Sequence, residues 1–375
     1  MSRYSRHISL DEIGQAGQDK ISTAKVLVVG AGGLGCPVLQ YLAAAGIGTI
    51  GIVDFDTVEE SNLQRQVLFG TASIGRKKAE VAKEVLSNLN TTITIHSYTE
   101  KLSPENVASI FEAYDIIVDA TDNFATRYLI NDAAIVLDKT VVYGAIYKFE
   151  GQVTVFNHNN GPSYRCIFPN PPEKGTMPNC SEVGVLGVLP GIIGTLQANE
   201  VLKIVLELGD VLSWKLYCFN ALNNESHTLN FNRNVSEIEK VKSRGLNFES
   251  LDASFFCTSD SSEIELANLG DEDILFIDVR ELIEQPRIQI NTVLEIPLAT
   301  LSEKIDHIPK DKKIIAFCKS GIRSKEAITI LKQHEISNCY SLKGGVYAFA
   351  KANLRDSRPQ GEKSVKAELK TINNE

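Results

Sequence analysis

The sequence predicts an α/β protein in which a doubly wound, mainly parallel sheet is followed by a second, smaller α/β domain. Three observations carry this expectation. From Lys25 onward, short apolar strands alternate with segments of helical period. A glycine-rich turn joins the first strand to the first helix of that run. A polar stretch rich in Ser, Asn and Glu, Asn232 to Gly270, then separates it from a shorter alternation of the same kind.

The first strand is expected at Lys25–Val29, the helix after it at about Leu34–Ala45, and the second strand at Thr49–Asp54. The spacing predicts a helix over Arg76–Leu89, with Ala82, Val85, Leu86 and Leu89 on one face. Another begins at Ser103, with Pro104 in its first turn. Strands follow at Asp115–Asp119 and Thr140–Tyr143. In the second run, strands at Ile274–Val279, Ile314–Phe317 and Asn338–Leu342 accompany a helix at Ser324–His334. The expected domains are 1–240 and 267–358, joined by a linker at 241–266 and ended by a frayed tail at 359–375. Ligands of such a sheet bind beyond the carboxyl ends of the strands, so the chemistry is expected in those turns.

Composition narrows the function. Lys plus Arg number 38 against 47 Asp plus Glu, giving a net charge of -9 without a basic stripe. This disfavours a nucleic-acid or anionic-membrane partner. Met1 to His7 lacks the apolar core of a signal peptide, and the most apolar stretch, Val183–Leu196, contains Pro190 and is too short for a bilayer. A cytoplasmic protein is expected. The 7 cysteines, odd in number and without a C-x-x-C pair, form neither a disulfide framework nor an obvious four-ligand zinc site.

Gly30-Ala31-Gly32-Gly33-Leu34-Gly35 lies between strand and helix, where the backbone can approach a phosphate and the helix N-terminus supplies oriented N–H groups. Asp54 ends the next strand, 24 residues after Gly30, where a carboxylate can accept hydrogen bonds from a ribose. Alone, these features fit a Rossmann-like dinucleotide site, or merely a tight turn. The residues beyond Asp54 do not suit hydride transfer. Asp56, the run Ser61-Asn62-Leu63-Gln64-Arg65-Gln66, and Lys78 in the first turn of the next helix place donors and cations beside the nucleotide. Such groups suit phosphoryl or nucleotidyl transfer, in which negative charge shifts between oxygens. After Asp119 come Ala120-Thr121-Asp122-Asn123, where Asp122 is placed to hold Mg²⁺ with phosphate oxygens or to cap a helix.

Together these residues resemble the ubiquitin-activating-like adenylyltransferases, specifically the bacterial enzymes that activate sulfur-carrier proteins for molybdopterin or thiazole synthesis. The likeness spans about Arg3–Leu229 and includes Gly151-Gln152-Val153-Thr154-Val155-Phe156 and Pro178-Asn179-Cys180. It implies that Gly33, Asp54, Ser61, Asn62, Leu63, Gln64, Arg65, Lys78, Asp122 and Asn123 bind ATP, with Mg²⁺ on Asp122. Arg6 matches an arginine that reaches the neighbouring subunit's ATP in homodimers of that family. Cys180 matches a crossover-loop cysteine that can form covalent sulfur intermediates; a buried inert thiol is the other reading. The implied reaction joins the carboxylate of a carrier's Gly-Gly tail to the α-phosphorus of ATP, with Arg6, Arg65 and Lys78 neutralising phosphates. Many relatives hold a structural zinc in two C-x-x-C pairs. Here the first reads Ser163-Tyr164-Arg165-Cys166 and the region Tyr217–Asn234 has no pair, leaving Cys166 with scattered Cys218 or His227. No zinc is expected; packing of the partly alternating segment Lys215–Phe231 is expected instead.

In the second domain, Ile315-Ala316-Phe317 runs into Cys318-Lys319-Ser320-Gly321-Ile322-Arg323-Ser324. A cysteine closing a strand, facing loop amides and a helix N-terminus with Lys319 and Arg323 nearby, is expected to ionise readily. This loop resembles that of rhodanese sulfurtransferases over about Ala267–Leu354, supported by Ile277-Asp278-Val279-Arg280-Glu281 and Leu342-Lys343-Gly344-Gly345-Val346-Tyr347-Ala348-Phe349. Cys318 and Arg323 are separated by four residues, one fewer than in a cysteine phosphatase loop. The segment Gln285–Ile296 lacks the usual Gly-containing turn, and Phe349 stands where Trp is common. Cys36, Cys218, Cys257 and Cys339 are read as packing residues; His7, His96 and His158 receive no role.

The fusion predicts adenylylation of a ubiquitin-like sulfur-carrier protein, then sulfur transfer from a Cys318 persulfide to give a thiocarboxylate. Cys180 would resolve an acyl disulfide by exchange. Molybdenum cofactor synthesis is the favoured pathway, with thiazole synthesis or tRNA thiolation as alternatives. The expected partners are the carrier, a sulfur donor such as a cysteine desulfurase, and a second copy of the chain. Two readings of other classes are an NAD-dependent oxidoreductase, which Asn62, Arg65 and Lys78 oppose, and a non-catalytic carrier-binding scaffold, which Cys318 and Asp122 oppose.

Overall fold

Parallel strands β1 (Lys25–Val29), β2 (Thr49–Val53), β3 (Thr94–Tyr98), β4 (Ile116–Asp119) and β5 (Thr140–Tyr147) form one side of an 8-stranded sheet. Antiparallel β6 (Glu150–Phe156), β7 (Lys215–Asn220) and β8 (Glu225–Asn230) complete it, in the order β3-β2-β1-β4-β5-β6-β7-β8. The computed structural model describes residues 3–172, 184–246, 248, 263–266, 269, 273–288, 293–310, 312–319 and 321–349. The chain divides into two units, Met1–Phe256 and Cys257–Glu375.

The residues of β1 explain the double winding. Val26 and Val28 enter one core and Leu27 and Val29 the other, all buried, as a strand covered by helices on both faces requires. The first core is closed by α2 (Gly14–Thr23), which follows the short α1 (Ser5–Ile8), together with α3 (Gly35–Ala45) and α4 (Lys78–Leu89). The second is closed by α5 (Val107–Glu112) and α6 (Phe124–Val136). After α7 (Tyr164–Ile167), the long α8 (Leu189–Leu206) returns to the first core. Register then sets the site: Val29 pairs with Val53 and with Asp119, so the turns after β1, β2 and β4 emerge level.

Several elements depart from expectation. Arg76 and Lys77 are not helical, because Lys77 bridges Thr57, and the buried face of α4 is Ala79, Ala82 and Leu86. Val85 and Leu89 lie further around that helix and are exposed. The helix expected from Ser103 begins at Val107, since the Asn106 side chain accepts the Ser103 N–H at 2.8 Å and holds a turn ahead of it. β5 runs past Tyr143 to Tyr147 by pairing with β6. The segment Lys215–Phe231 is the β7–β8 hairpin. Its outer strand is exposed along its length. The expected linker begins inside a helix, α9 (Val235–Arg244), whose Ile238 and Val241 pack on Ile135 of α6.

In the second unit β9 (Glu263–Ile264), β10 (Ile274–Asp278), β11 (Val293–Glu295), β12 (Lys313–Phe317) and β13 (Cys339–Leu342) form a parallel sheet ordered β11-β10-β12-β13-β9. Helix α10 (Ile322–Gln333) follows β12 and buries Ala327 and Leu331 against Ile314 and Ala316. On the other face Phe276, Phe317 and Phe349 stack edge to face, so Phe349 fills the aromatic position with a phenyl ring. Cys180, Cys257, Ser320 and the tail 359–375 lie outside the described residues.

Candidate active sites

The level strand ends open into a cleft of about 410 Å³, within the range that holds a nucleotide. Its floor is the glycine turn. Gly30 has φ +98, a left-handed conformation that favours glycine. A Cβ on Gly35 would lie 1.9 Å from the Gly30 carbonyl oxygen, which explains why the turn must lack side chains there. Gly33 lines the cleft where α3 begins, and no side chain caps that helix. In that first turn the Cys36 N–H is taken by the Gly32 carbonyl at 2.9 Å and Pro37 has no N–H, so what the helix offers the cleft is chiefly the positive end of its dipole.

Asp54 is buried and ties this turn to the next. Its Oδ2 accepts the Ala31 N–H at 2.8 Å and its Oδ1 the Asp56 N–H at 2.9 Å. Burial raises its pKa, while the Lys78 ammonium and these two N–H groups oppose that rise. Lys78, also buried, reaches into the cleft from the start of α4, with Nζ 3.1 Å from Asp56 Oδ2. Ser61, Gln64 and Arg65 line the same cleft, and Arg65 donates to the Ser61 carbonyl at 3.0 Å.

Two residues of that run stand behind the lining rather than in it. Asn62 is buried, its Oδ1 accepting the Glu59 N–H at 3.1 Å, and Leu63 packs on the core. They shape the turn that presents Ser61 and Arg65. After β4, Asp119 is buried and held by the Thr121 N–H and hydroxyl. Asn123 caps α6 by accepting the Thr126 N–H at 2.9 Å. The cap is thus Asn123, and the exposed Asp122 carboxylate, which makes no hydrogen bond or ion pair among the described residues, lines the cleft. A single carboxylate beside a phosphate site suits Mg²⁺, which shares its coordination with phosphate oxygens and water. No group of three or more His, Cys, Asp or Glu among the described residues could cage a metal.

Arg6 sits exposed on α1 and does not line the cleft of this chain. The reverse also occurs: Phe55, Gln66, Lys101, Leu102, Ile146 and Val185 line it although the sequence does not mark them as ligands. Gln66 ends the polar run that reads as a donor set. Lys101 and Leu102 follow β3, a strand too polar to signal itself by apolar alternation. Ile146 and Val185 come together only because Lys148 bridges Val185.

Away from the cleft, Cys166 accepts N–H groups of Ser163 at 3.3 Å and Asn234 at 3.1 Å, linking α7 to the cap of α9. Buried Arg165 holds Asp132 through Nε at 2.6 Å and an amine at 2.9 Å. Cys36 and Cys339 are buried packing residues, and burial pushes the Cys36 thiol up to about 12. Cys218, on β7, is only half-buried.

In the second unit Cys318 closes β12 and is 1% exposed. Its sulfur accepts the Gly321 N–H at 3.1 Å and lies 3.7 Å from the Ser324 hydroxyl. Gly321, with φ +105, turns the chain into α10, so the sulfur rests at the positive end of a helix of 12 residues. Arg323 does not point its charge at the sulfur alone, because Glu284 binds it through two bonds of 2.5 and 2.8 Å. Lys319 is exposed.

Residues 4–239 match the ThiF family and residues 264–352 the rhodanese-like domain. A probable adenylyltransferase/sulfurtransferase MoeZ of Mycobacterium tuberculosis is 38% identical over 371 residues, spanning 94% of this chain and 93% of that protein. An adenylyltransferase and sulfurtransferase MOCS3 of Xenopus laevis is 36% identical, spanning 93% of this chain and 86% of that one. A sulfur carrier protein adenylyltransferase of Thermus thermophilus is 49% identical over 62% of this chain and 88% of its own length. Among solved structures, E. coli MccB with ATP shares the fold at TM-score 0.55 and 24% identity, over 62% of this chain and 72% of that one. No helix among the described residues is long and apolar enough to cross a membrane.

Proposed function

We propose a two-step reaction from the premise that this chain belongs to the ThiF family and carries a C-terminal rhodanese-like domain. It adenylylates the C-terminal glycine of a ubiquitin-like sulfur carrier and then replaces the adenylate with sulfur. The supporting observation is the presence on one chain of an uncapped glycine turn flanked by Arg65 and Lys78 and of a cysteine sulfur held by a loop amide.

In the first step the carrier's terminal carboxylate attacks the α-phosphorus of ATP and pyrophosphate leaves. The amides of the glycine turn hold phosphate oxygens, and Arg65 and Lys78 meet the charge that grows on the leaving group. Asp54 holds the turn in shape and presents its remaining lone pairs to the ribose. Asp122 would hold Mg²⁺, which supplies further charge neutralisation on the phosphates. Arg6 serves the cleft of a second copy in a homodimer.

In the second step the outer sulfur of a Cys318 persulfide attacks the acyl carbon and AMP leaves, giving an acyl disulfide. A thiol, assigned to Cys180, then attacks the Cys318 sulfur and releases the thiocarboxylate, leaving a disulfide for a cellular dithiol to reduce. A cysteine desulfurase supplies the sulfur, and the pathway is molybdenum cofactor synthesis in the cytoplasm.

The test is incubation with ATP, Mg²⁺, a sulfur donor and each candidate carrier, read by intact mass of the carrier. One oxygen-to-sulfur exchange on a single carrier identifies reaction and partner. Cys318→Ser should abolish that exchange and retain ATP–pyrophosphate exchange. Failure to exchange pyrophosphate with every Gly-Gly carrier would overturn the reading.

A further inference from the structure

Three arginines on or beside the turn that carries Glu284 are each held by a carboxylate, so little of their positive charge is uncompensated. Arg280 is bound by Asp278 at 2.7 Å and Arg287 by the same carboxylate at 3.1 Å. Arg323, whose charge acts on Cys318, is bound in bidentate fashion by Glu284. Lys325, in the first turn of α10, pairs with Glu263 at 3.1 Å. The exposed Lys319 is the other cation of the loop. A small sulfur oxyanion such as thiosulfate carries two negative charges and must approach a thiolate, so it depends on cations at the mouth. Here Glu284 cancels the one best placed.

The turn that supplies Glu284 also exposes two adjacent apolar side chains, Leu282 at 63% and Ile283 at 87%. Such a pair suits the surface of another protein better than the hydration shell of a dianion.

We propose that Glu284 is a specificity-determining residue that closes this site to small sulfur oxyanions and reserves it for a persulfide borne on a cysteine of a donor protein. The proposal rests on the sulfur-transfer reading above. The Cys318 thiolate attacks the outer sulfur of the donor's R–S–SH group. A sulfur–sulfur bond forms on Cys318, the donor's breaks, and R–S⁻ leaves, so the step needs neither oxidant nor reductant.

The test compares thiosulfate:cyanide sulfur transfer by the full chain, Glu284→Gln, and the double variant Glu284→Gln with Arg323→Gln. Glutamine still hydrogen-bonds to Arg323 and removes only the charge. Glu284→Gln should raise kcat/KM for thiosulfate about tenfold, chiefly through KM, and the gain should shrink with added salt. The double variant should lose the gain, because it runs through Arg323. A misfolded or merely loosened loop would not produce a salt-sensitive gain. If Cys318 takes sulfur from a charged cysteine desulfurase while Glu284→Gln leaves thiosulfate kinetics within twofold of the parent, the proposal is overturned and the sulfur-transfer reading stands. If Cys318 takes sulfur from neither donor, both fall.

Discussion

Lys78 Nζ lies 3.1 Å from Asp56 Oδ2 in the cleft at the strand ends, with the lysine side chain 7% exposed and the aspartate 51%. A buried cation tethered to a half-solvated anion can exchange that partner for phosphate oxygens at small cost. Lys78→Ala should therefore lower ATP–pyrophosphate exchange about 10²- to 10³-fold, as removal of one transition-state charge contact does. Retention of full exchange would remove Lys78 from the mechanism.

Gly35 tests the turn itself. An added methyl group would meet the Gly30 carbonyl oxygen at 1.9 Å, and a backbone atom cannot swing aside as a side chain can. Gly35→Ala should cost about 3 kcal/mol in urea unfolding and abolish nucleotide binding. An unchanged unfolding midpoint would show that the turn has more room than the structure allows.

Arg280 and Asp278 form a pair in which each side chain is 1% exposed. Replacing Arg280 with Met leaves the buried carboxylate with Arg287 and the residue-280 N–H, and breaking a buried pair from one side costs about 3 kcal/mol. The second unit should melt earlier by calorimetry while ATP–pyrophosphate exchange persists. Equal melting of the variant and the parent would place the stabilisation of Asp278 on Arg287.

The Arg323 guanidinium holds the Glu284 carboxyl well below its ordinary value of 4.5, at about 2. Because the folded value is the lower one, the pair's contribution is complete above about pH 4.5 and is lost as the pH falls through about 2. A carboxyl-carbon titration of Glu284 should show its midpoint near the lower value. A midpoint near that of a solvated glutamate would mean the pair is open in solution.

Much of the architecture was legible because it is written locally. A strand, a glycine turn and a helix from Lys25 to Ala45 announce themselves by apolar runs and by residues without side chains. Cys318 at the end of one strand, followed closely by Gly321 and a helix, is equally local. The start of α5 was misplaced because a side chain, Asn106, took the Ser103 N–H that a helix would have left to water. The family likeness places Asn62 and Leu63 beside the nucleotide, whereas neither lines the cleft, since a motif does not tell which residues of a turn face inward.

Read alone, the chain reveals the two alternating patterns, the glycine turn, the cations from Arg65 to Lys78 and the cysteine loop, each a property of neighbouring residues. Folding brings β1, β2 and β4 to one level, sets Asp54 on the Ala31 N–H and adds Lys101 to the cleft. It alone matched Glu284 to Arg323 across 39 residues. Strand register and long-range ion pairing arise from which buried faces fit together, and no periodicity along one segment encodes the partner it will meet.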